Sequence, residues 1–388
     1  MWLLIFIFFL LTFMIAWTLF GYFIMVWFIG LFRPRPVPTW PDDWPLISMI
    51  VCSFNEETDI LAKLENIRQL DYPKDRLEVI FTDGGSTDKT QSLLKEAIKS
   101  DESFRVLCCQ KGGKINQLNE ALTGARGAIV VNTDVDAHLK PDALRWLAAE
   151  FHQDSNVWVA GAYCRPGESL AIEHYFWDQQ NKGRFLESTA NTSSIVIAPC
   201  YAFRRQLMQA FPEDVVADDI YVAFLASTLG HRVVYSRQAM AVETRCPNKY
   251  ADFLPHKFRK SNAFLRETLR FVYRLPEMHN FCKMMLVTRL LQQIVLPWAL
   301  LWWVLIAGVL LTLFRFDILI MAVLFLVLLF GTTHFVFLSV HLPDGRRRYS
   351  LHTTLQGYIL TNLIMLATAL SYPFYKQGSD YTRLAPRD

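Results

Sequence analysis

Asp134 and Asp136 stand two residues apart behind a short apolar run, Ala128 to Val131. With that run as a strand, both carboxylates emerge at its end. There they reach one hard cation and the phosphates or ribose that accompany it, as Mg2+ commonly joins a few protein carboxylates to substrate phosphates. Asp83 closes a second apolar run, Leu77 to Thr82, in the turn Asp83-Gly84-Gly85-Ser86-Thr87-Asp88. Glycines there let backbone amides approach a ligand closely. Lys114 follows Gly112-Gly113, within reach of a diphosphate. Asp218-Asp219 precede the helical pattern Ile220 to Leu225. Two acids at a helix start either cap it or, facing a cation site, supply a general base. Taken singly, each feature also reads as a solvated loop, a turn, a surface lysine or a cap.

The elements that must hold these residues alternate in kind. Strand-type runs at Ile47 to Phe54, Leu77 to Thr82, Phe104 to Cys108 and Ala128 to Val131 are separated by helical patterns. The helices are expected at about Asp59 to Leu70, Lys89 to Lys99 and Lys114 to Gly124. This alternation argues for an α/β domain with a largely parallel sheet. Ligands bind such sheets outside the carboxyl ends of the strands. The polar clusters follow those ends.

The rest of the chain is of another kind. Residues 1–32 carry no charged side chain, and 290–388 carry seven basic and four acidic ones. The net charge of +3 therefore arises in the last hundred residues, and the middle is neutral. No basic domain or stripe marks a nucleic-acid partner. Seven cysteines, an odd number without a C-x-x-C pair, read as reduced thiols.

Trp2 to Phe32 is long enough to cross a bilayer, which needs about 20 apolar residues. It lacks the basic start of a signal peptide. Three further spans are expected at Gln293 to Phe314, Ile318 to Val340 and Leu355 to Phe374. Arg33, Arg35 and Arg346-Arg347-Arg348 belong on the cytoplasmic side, which puts the middle domain there too. Lys376, Arg383 and Arg387 argue against an outside C-terminal tail. His334, within a span, reads as a packed or hydrogen-bonded helix residue. The basic, aromatic segment Phe253 to Leu275 is either a helix on the membrane surface or an amphipathic helix packed on the domain. The expected organisation is a transmembrane helix at 1–32, a cytosolic domain at 33–252, interface helices at 253–292, three transmembrane helices at 293–374 and a tail at 375–388.

In this order the motifs resemble those of family-2 glycosyltransferases, the membrane group of hyaluronan, chitin and cellulose synthases. The matching pieces are Val51-Cys52-Ser53-Phe54-Asn55-Glu56, Asp83 to Asp88, Gly113-Lys114 with Leu118 to Leu122, Asp134-Val135-Asp136, Ala217-Asp218-Asp219 and Gly230 to Tyr235. The resemblance spans about Ile47 to Arg270. It implies a GT-A fold, a Rossmann-like mixed sheet that binds a nucleotide sugar, most often a UDP-sugar. By resemblance Asn55, Glu56 and Asp83 line the nucleoside pocket and Lys114 approaches the uridine or phosphate. Asp134 contacts ribose or cation, and Asp136 ligates Mg2+ or Mn2+. Asp219 takes the acceptor proton in a direct, inverting displacement, supported by Asp218. One departure stands out. The processive members' Q-x-x-R-W is here His256-Lys257-Phe258-Arg259-Lys260, which keeps Arg259 for the phosphates and loses the Trp under the acceptor sugar. Pro199 to Arg205 is either an acceptor wall or a core strand.

The implied protein is an integral enzyme of the plasma or inner membrane. Its partners are a UDP-sugar, a glycan or lipid-linked acceptor and membrane lipids, in polysaccharide or glycolipid synthesis. Four spans are few for a polymer channel, so polymer export calls for a homo-oligomer or an export partner. The alternative is a catalytically silent homologue acting as scaffold, against which the retained Asp83, Asp134, Asp136 and Asp219 argue.

Overall fold

The computed structural model describes residues 1–99, 101–345, 347–375 and 377–378. Arg346, Lys376, Arg383 and Arg387, part of the topology argument, lie outside the described residues. The middle of the chain forms one eight-stranded mixed sheet. In chain order the strands are β1 Ile47–Ser53, β2 Leu77–Asp83, β3 Phe104–Cys108, β4 Ile129–Asp134, β5 Ala137–Leu139, β6 Val157–Pro166, β7 Cys200–Arg204 and β8 Arg232–Glu243. Their spatial order is β3-β2-β1-β4-β7-β6-β8-β5.

The half read from the sequence is the parallel half: β3, β2, β1 and β4 all run the same way. Its central strands are apolar on both faces, as strands covered by helices on both sides must be. β7 then runs antiparallel to both β4 and β6, and β5 antiparallel to β8. The sheet is therefore less parallel than the alternation suggests. Cys200–Arg204, left open by the sequence as acceptor wall or core strand, is a strand, and β5, with three residues, is too short to show in the sequence.

The register decides where the site is built. Ser53 pairs with Asp83 on one side of β1, and Cys52 with Asp134 on the other. Two of the aspartates thus leave the sheet at one level, either side of the same strand end.

Four helices are long and apolar enough to cross a membrane: Trp2–Leu31, Asn280–Thr312, Phe316–Ser339 and Leu351–Ser371. The second begins well before Gln293, because Asn280 to Arg289 continues into it. Arg35 pairs with Glu150 at 2.5 Å and Arg347 with Asp178 at 3.1 Å. Both inter-span basic segments therefore touch the sheet domain. The helix Tyr250–Arg270 is wedged between the domain helix Asp218–Thr228 and the apolar helix Leu351–Ser371. Its Lys257 is buried against Glu173, Nζ to Oε1 2.7 Å, so this helix is packed into the protein.

Candidate active site

A cavity of about 2150 Å3 opens at the carboxyl ends of β1 and β4 and continues down among the apolar helices. Asp134, Asp136, Lys114, Asp218, Asp219 and Arg259 all line it. Glu56 lines it too, while Asp83 and Asn55 stand behind the wall. Asp83 is buried and spends its oxygens on its own turn. Oδ2 accepts from the Gly85 and Ser86 amides at 3.0 Å each and from Gln91 Nε2 at 2.6 Å, and Oδ1 accepts from the Ser86 hydroxyl. Gly85 has φ +91°, a conformation that favours glycine. Asn55 Oδ1 accepts from the Thr87 amide at 2.8 Å, tying the β1 loop to the β2 loop.

Each aspartate of the pair after β4 is matched by a protein cation. Lys114 Nζ lies 2.8 Å from Asp134 Oδ1 and 3.3 Å from Asp218 Oδ1, bridging the two clusters. Arg245, just past β8, places Nε 3.1 Å from Asp136 Oδ2 and Nη2 2.9 Å from Glu56 Oε1. Burial raises the Asp136 pKa, as does the charge of Asp134, and Arg245 opposes both. Lys63 lies beneath the turn, fully buried, donating to Thr133 Oγ1 at 2.8 Å and to the Ala137 carbonyl at 2.5 Å. Burial brings that ammonium down to about 8.

Neither Arg245 nor Lys63 was among the residues singled out by sequence. Lys63 did leave a signal. It shares the helical stripe of Ile60, Leu64 and Ile67, and a lysine on a buried stripe needs partners. For Arg245 the signal is weaker, a lone charge after a strand end.

The second acidic cluster opens the helix Asp218–Thr228. Asp218 Oδ2 accepts from the Tyr201 hydroxyl at 2.6 Å and from Asn132 Nδ2 at 3.1 Å. Among the described residues Asp219 Oδ2 accepts only the Ala198 amide, at 3.1 Å, and Oδ1 the Ile220 amide, at 3.0 Å. Burial, then the neighbouring Asp218 charge, lifts Asp219 to about 7. A carboxylate so poised, lining a cavity, suits proton abstraction near neutral pH. Pro199 lines the cavity, while Cys200–Arg204 is the core strand β7.

The helix Tyr250–Arg270 supplies the far wall with His256, Lys257, Phe258, Arg259 and Lys260. Burial and the neighbouring lysines push the His256 imidazole far down, so it is neutral. Lys260, in place of the expected Trp, sits 5.5 Å over the ring of Trp177, which also lines the cavity. An aromatic surface is thus present, contributed by another helix.

The residues present fit a hard divalent cation. Asp134 and Asp136 each keep one carboxylate oxygen without a hydrogen bond among the described residues. No group of three His, Cys, Asp or Glu side chains is gathered among those residues. Mg2+-like ions need only one or two carboxylates when substrate phosphates complete the shell.

Residues 48–211 match the family described as glycosyl transferase family 2. This stretch is a family 2 glycosyl transferase domain. The family 2 domain is 32% identical over 146 residues to a beta-monoglucosyldiacylglycerol synthase of Nostoc sp., covering 37% of this chain and 30% of that enzyme. An N-acetylglucosaminyltransferase of Sinorhizobium fredii is 24% identical over 257 residues, 61% of this chain and 62% of its own length. The chain thus spans about a third of the first curated relative and under two thirds of the second. Among solved structures, a mannosyltransferase of Pyrobaculum calidifontis in complex with GDP-Man and Mn2+ superposes with a TM-score of 0.68 at 23% identity. That likeness covers 96% of this chain and 99% of the other, and it extends the shared fold through the apolar helices. It bears out the GT-A fold, here joined to four helices long and apolar enough to cross a membrane.

Proposed function

We infer that the chain is a membrane-bound, inverting glycosyltransferase that moves a sugar from a UDP-sugar to a glycan or lipid-linked acceptor. The observation that carries this reading is the continuity of one cavity. It joins Asp134, Asp136 and Asp219 to the apolar helices Trp2–Leu31, Phe316–Ser339 and Leu351–Ser371. A donor held at the sheet edge and an acceptor rising from the bilayer meet at Asp219.

In this reading Lys114 and Arg259 bind the diphosphate, and Lys63 and Arg245 hold the Asp134–Asp136 turn in place. Asp134 and Asp136 would hold a divalent cation, Mg2+ or Mn2+, which when bound would offset charge on the departing diphosphate. Asp219 accepts the proton of the acceptor hydroxyl. The oxygen's lone pair forms the bond to the anomeric carbon, and the bond to the phosphate oxygen breaks with its electron pair on the nucleoside diphosphate. One displacement inverts the anomeric carbon. The sheet domain, 33–252, works on the cytoplasmic side of the cell membrane, between a span at 1–32 and three at 293–374, with 253–292 at the interface and 375–388 as tail.

A panel of radiolabelled UDP-sugars, with GDP-mannose beside them, tests this on membranes carrying the chain or its Asp219→Asn variant. Label from a UDP-sugar in product, absent with Asp219→Asn, is the expected result. Mass spectrometry of the product then separates one added sugar from a ladder. No transfer above membranes lacking the chain returns the reading to a silent scaffold, and transfer only from GDP-mannose overturns the donor assignment.

A further inference from the structure

Two lysines of the helix Tyr250–Arg270 meet acidic partners in different ways. Lys257 closes on Glu173 at 2.7 Å, and both side chains are buried. Glu173 Oε1 also accepts from the Trp177 indole N–H at 3.0 Å, which fixes that ring. Lys260, one turn later, rests 5.5 Å over the same ring and stays apart from Glu243, Nζ to Oε1 3.8 Å. Both Lys260 and Glu243 line the cavity. Glu243 takes the Cys246 thiol on Oε2, at 3.6 Å. Among the described residues neither Lys260 Nζ nor Glu243 Oε1 has a hydrogen bond. The first pair is closed. The second is open, and it holds ammonium donors beside a carboxylate acceptor at the cavity wall.

The end of β8 places this open pair between the two aspartate clusters. Glu243 is the last residue of the strand. The next amide, that of Thr244, donates to the Asp136 carbonyl at 2.7 Å, and Arg245 beyond it holds the Asp136 carboxylate. Glu243 therefore enters the cavity beside the Asp134–Asp136 turn. The electrostatics agree. Burial raises the pKa of Glu243, Lys260 opposes the rise, and the charge of Asp136 adds to it. Burial and Asp218 raise Asp219, while Lys114 and then Lys260 pull it down. Glu243 thus lies within charge reach of Asp136, and Lys260 within charge reach of Asp219. In the glycosyltransferase reading the transferred sugar occupies the space between those points. Its diphosphate is at Asp134 and Asp136, and its anomeric carbon meets an acceptor whose proton goes to Asp219.

We propose that Lys260 and Glu243 select the transferred sugar by holding two adjacent hydroxyls of its ring. One hydroxyl accepts from Lys260 Nζ and its neighbour donates to Glu243 Oε1, since a hydroxyl can do either. A carboxylate or phosphate in this place gains Lys260 but meets the like charge of Glu243, so the pair suits uncharged groups. Hydrogen bonds to ionised partners are the strong ones. A site built to bond a hydroxyl rejects the analogue that lacks it. The assignment rests on the glycosyltransferase reading and names the groups that would set its sugar specificity.

The test is calorimetry on the full chain in detergent with Mn2+ and no acceptor. The probes are UDP, UDP-glucose and UDP-galactose, then the 2-, 3- and 4-deoxy forms of whichever of the two sugars binds tighter. Two neighbouring deoxy forms are expected to bind about tenfold more weakly than the parent, the ratio one bond to a charged group supplies. Glu243→Met should level the parent with one of these forms, and Lys260→Met with the other. Lys260→Arg keeps the discrimination, and UDP affinity is unchanged in all three variants. Deoxy forms that bind as well as the parent, a pattern unchanged in Lys260→Met, or a loss of UDP affinity equal to the loss for the sugar overturns the proposal. No binding of UDP by the unaltered chain strikes the glycosyltransferase reading itself, so the two failures are told apart. If Glu243→Met does not fold, the unaltered chain and the Lys260 variants decide.

Discussion

The Nε of Arg245 lies 3.1 Å from Oδ2 of Asp136. The same guanidinium meets Glu56 at 2.9 Å and Asp59 at 3.7 Å, so one cation holds three carboxylates from two loops. A divalent ion held by Asp134 and Asp136, as proposed above, would draw on the carboxylate that Arg245 already holds. Arg245→Gln removes the competitor and takes this cation from all three acids. Mn2+ binding without nucleotide, followed by electron paramagnetic resonance of the free ion, is expected to tighten. Thermal unfolding in detergent drops at the same time, because a largely buried charge cluster loses its partner at a cost of about 3 kcal/mol. An unchanged Mn2+ affinity counts against the competition.

Asp219→Asn separates stability from chemistry. The folded chain raises Asp219 from 3.8 to about 7, through burial first and Asp218 second. A carboxyl raised on folding contributes stability that is present below its unfolded value and is lost as pH rises through the folded one. The ionised group is thus a burden above about pH 7, and asparagine does not carry it. The variant's melting temperature should exceed that of the unaltered chain at pH 8, with the gap shrinking towards pH 5. Transfer falls by about 10²–10⁴-fold, the usual contribution of a general base. A variant that retains activity removes Asp219 from that role.

Much of this site was legible because strand ends and polar clusters coincide along the chain. Asp134, Asp136, Lys114, Asp218, Asp219 and Arg259 do line one cavity. What was not legible depends on distant partners. Arg245 meets Glu56 across 189 positions and Lys63 reaches Thr133 across 70, pairings that no local spacing encodes. Asp83 was legible as a turn former, and its bonds to Gly85 and Ser86 follow from the local sequence. A strand at β7 was one of two readings of that stretch, and its antiparallel place between β4 and β6 was not legible because it is set by pairing with distant strands.

Lys63 is a positioning residue, since it touches the turn around Asp134 and Asp136 from behind. Lys63→Met frees the Thr133 hydroxyl and the Ala137 carbonyl from their donor. A misplacement of about 1 Å at the reacting groups costs about 10²-fold, and a loss of that order in kcat/KM is expected with the chain still folded. A pH readout identifies the ammonium itself. Its pKa falls from 10.5 to about 8 in the folded chain, through burial. Between those values the unfolded chain binds more of this proton, so the group makes stability rise with pH across that window. The melting-temperature difference between the unaltered chain and Lys63→Met should therefore grow from pH 8 to pH 10. A difference independent of pH leaves Lys63 as packing only.

Arg259 lines the cavity from the helix Tyr250–Arg270, beside His256 and Lys260. If it meets the donor diphosphate, as proposed above, a charge lost there weakens donor binding. Arg259→Ala should raise the KM for the nucleotide sugar about tenfold or more, as a charge-assisted hydrogen bond is worth ~1.5–3 kcal/mol. Calorimetry with the UDP-sugar reads the same loss without turnover. An unchanged donor affinity removes Arg259 from the phosphate site.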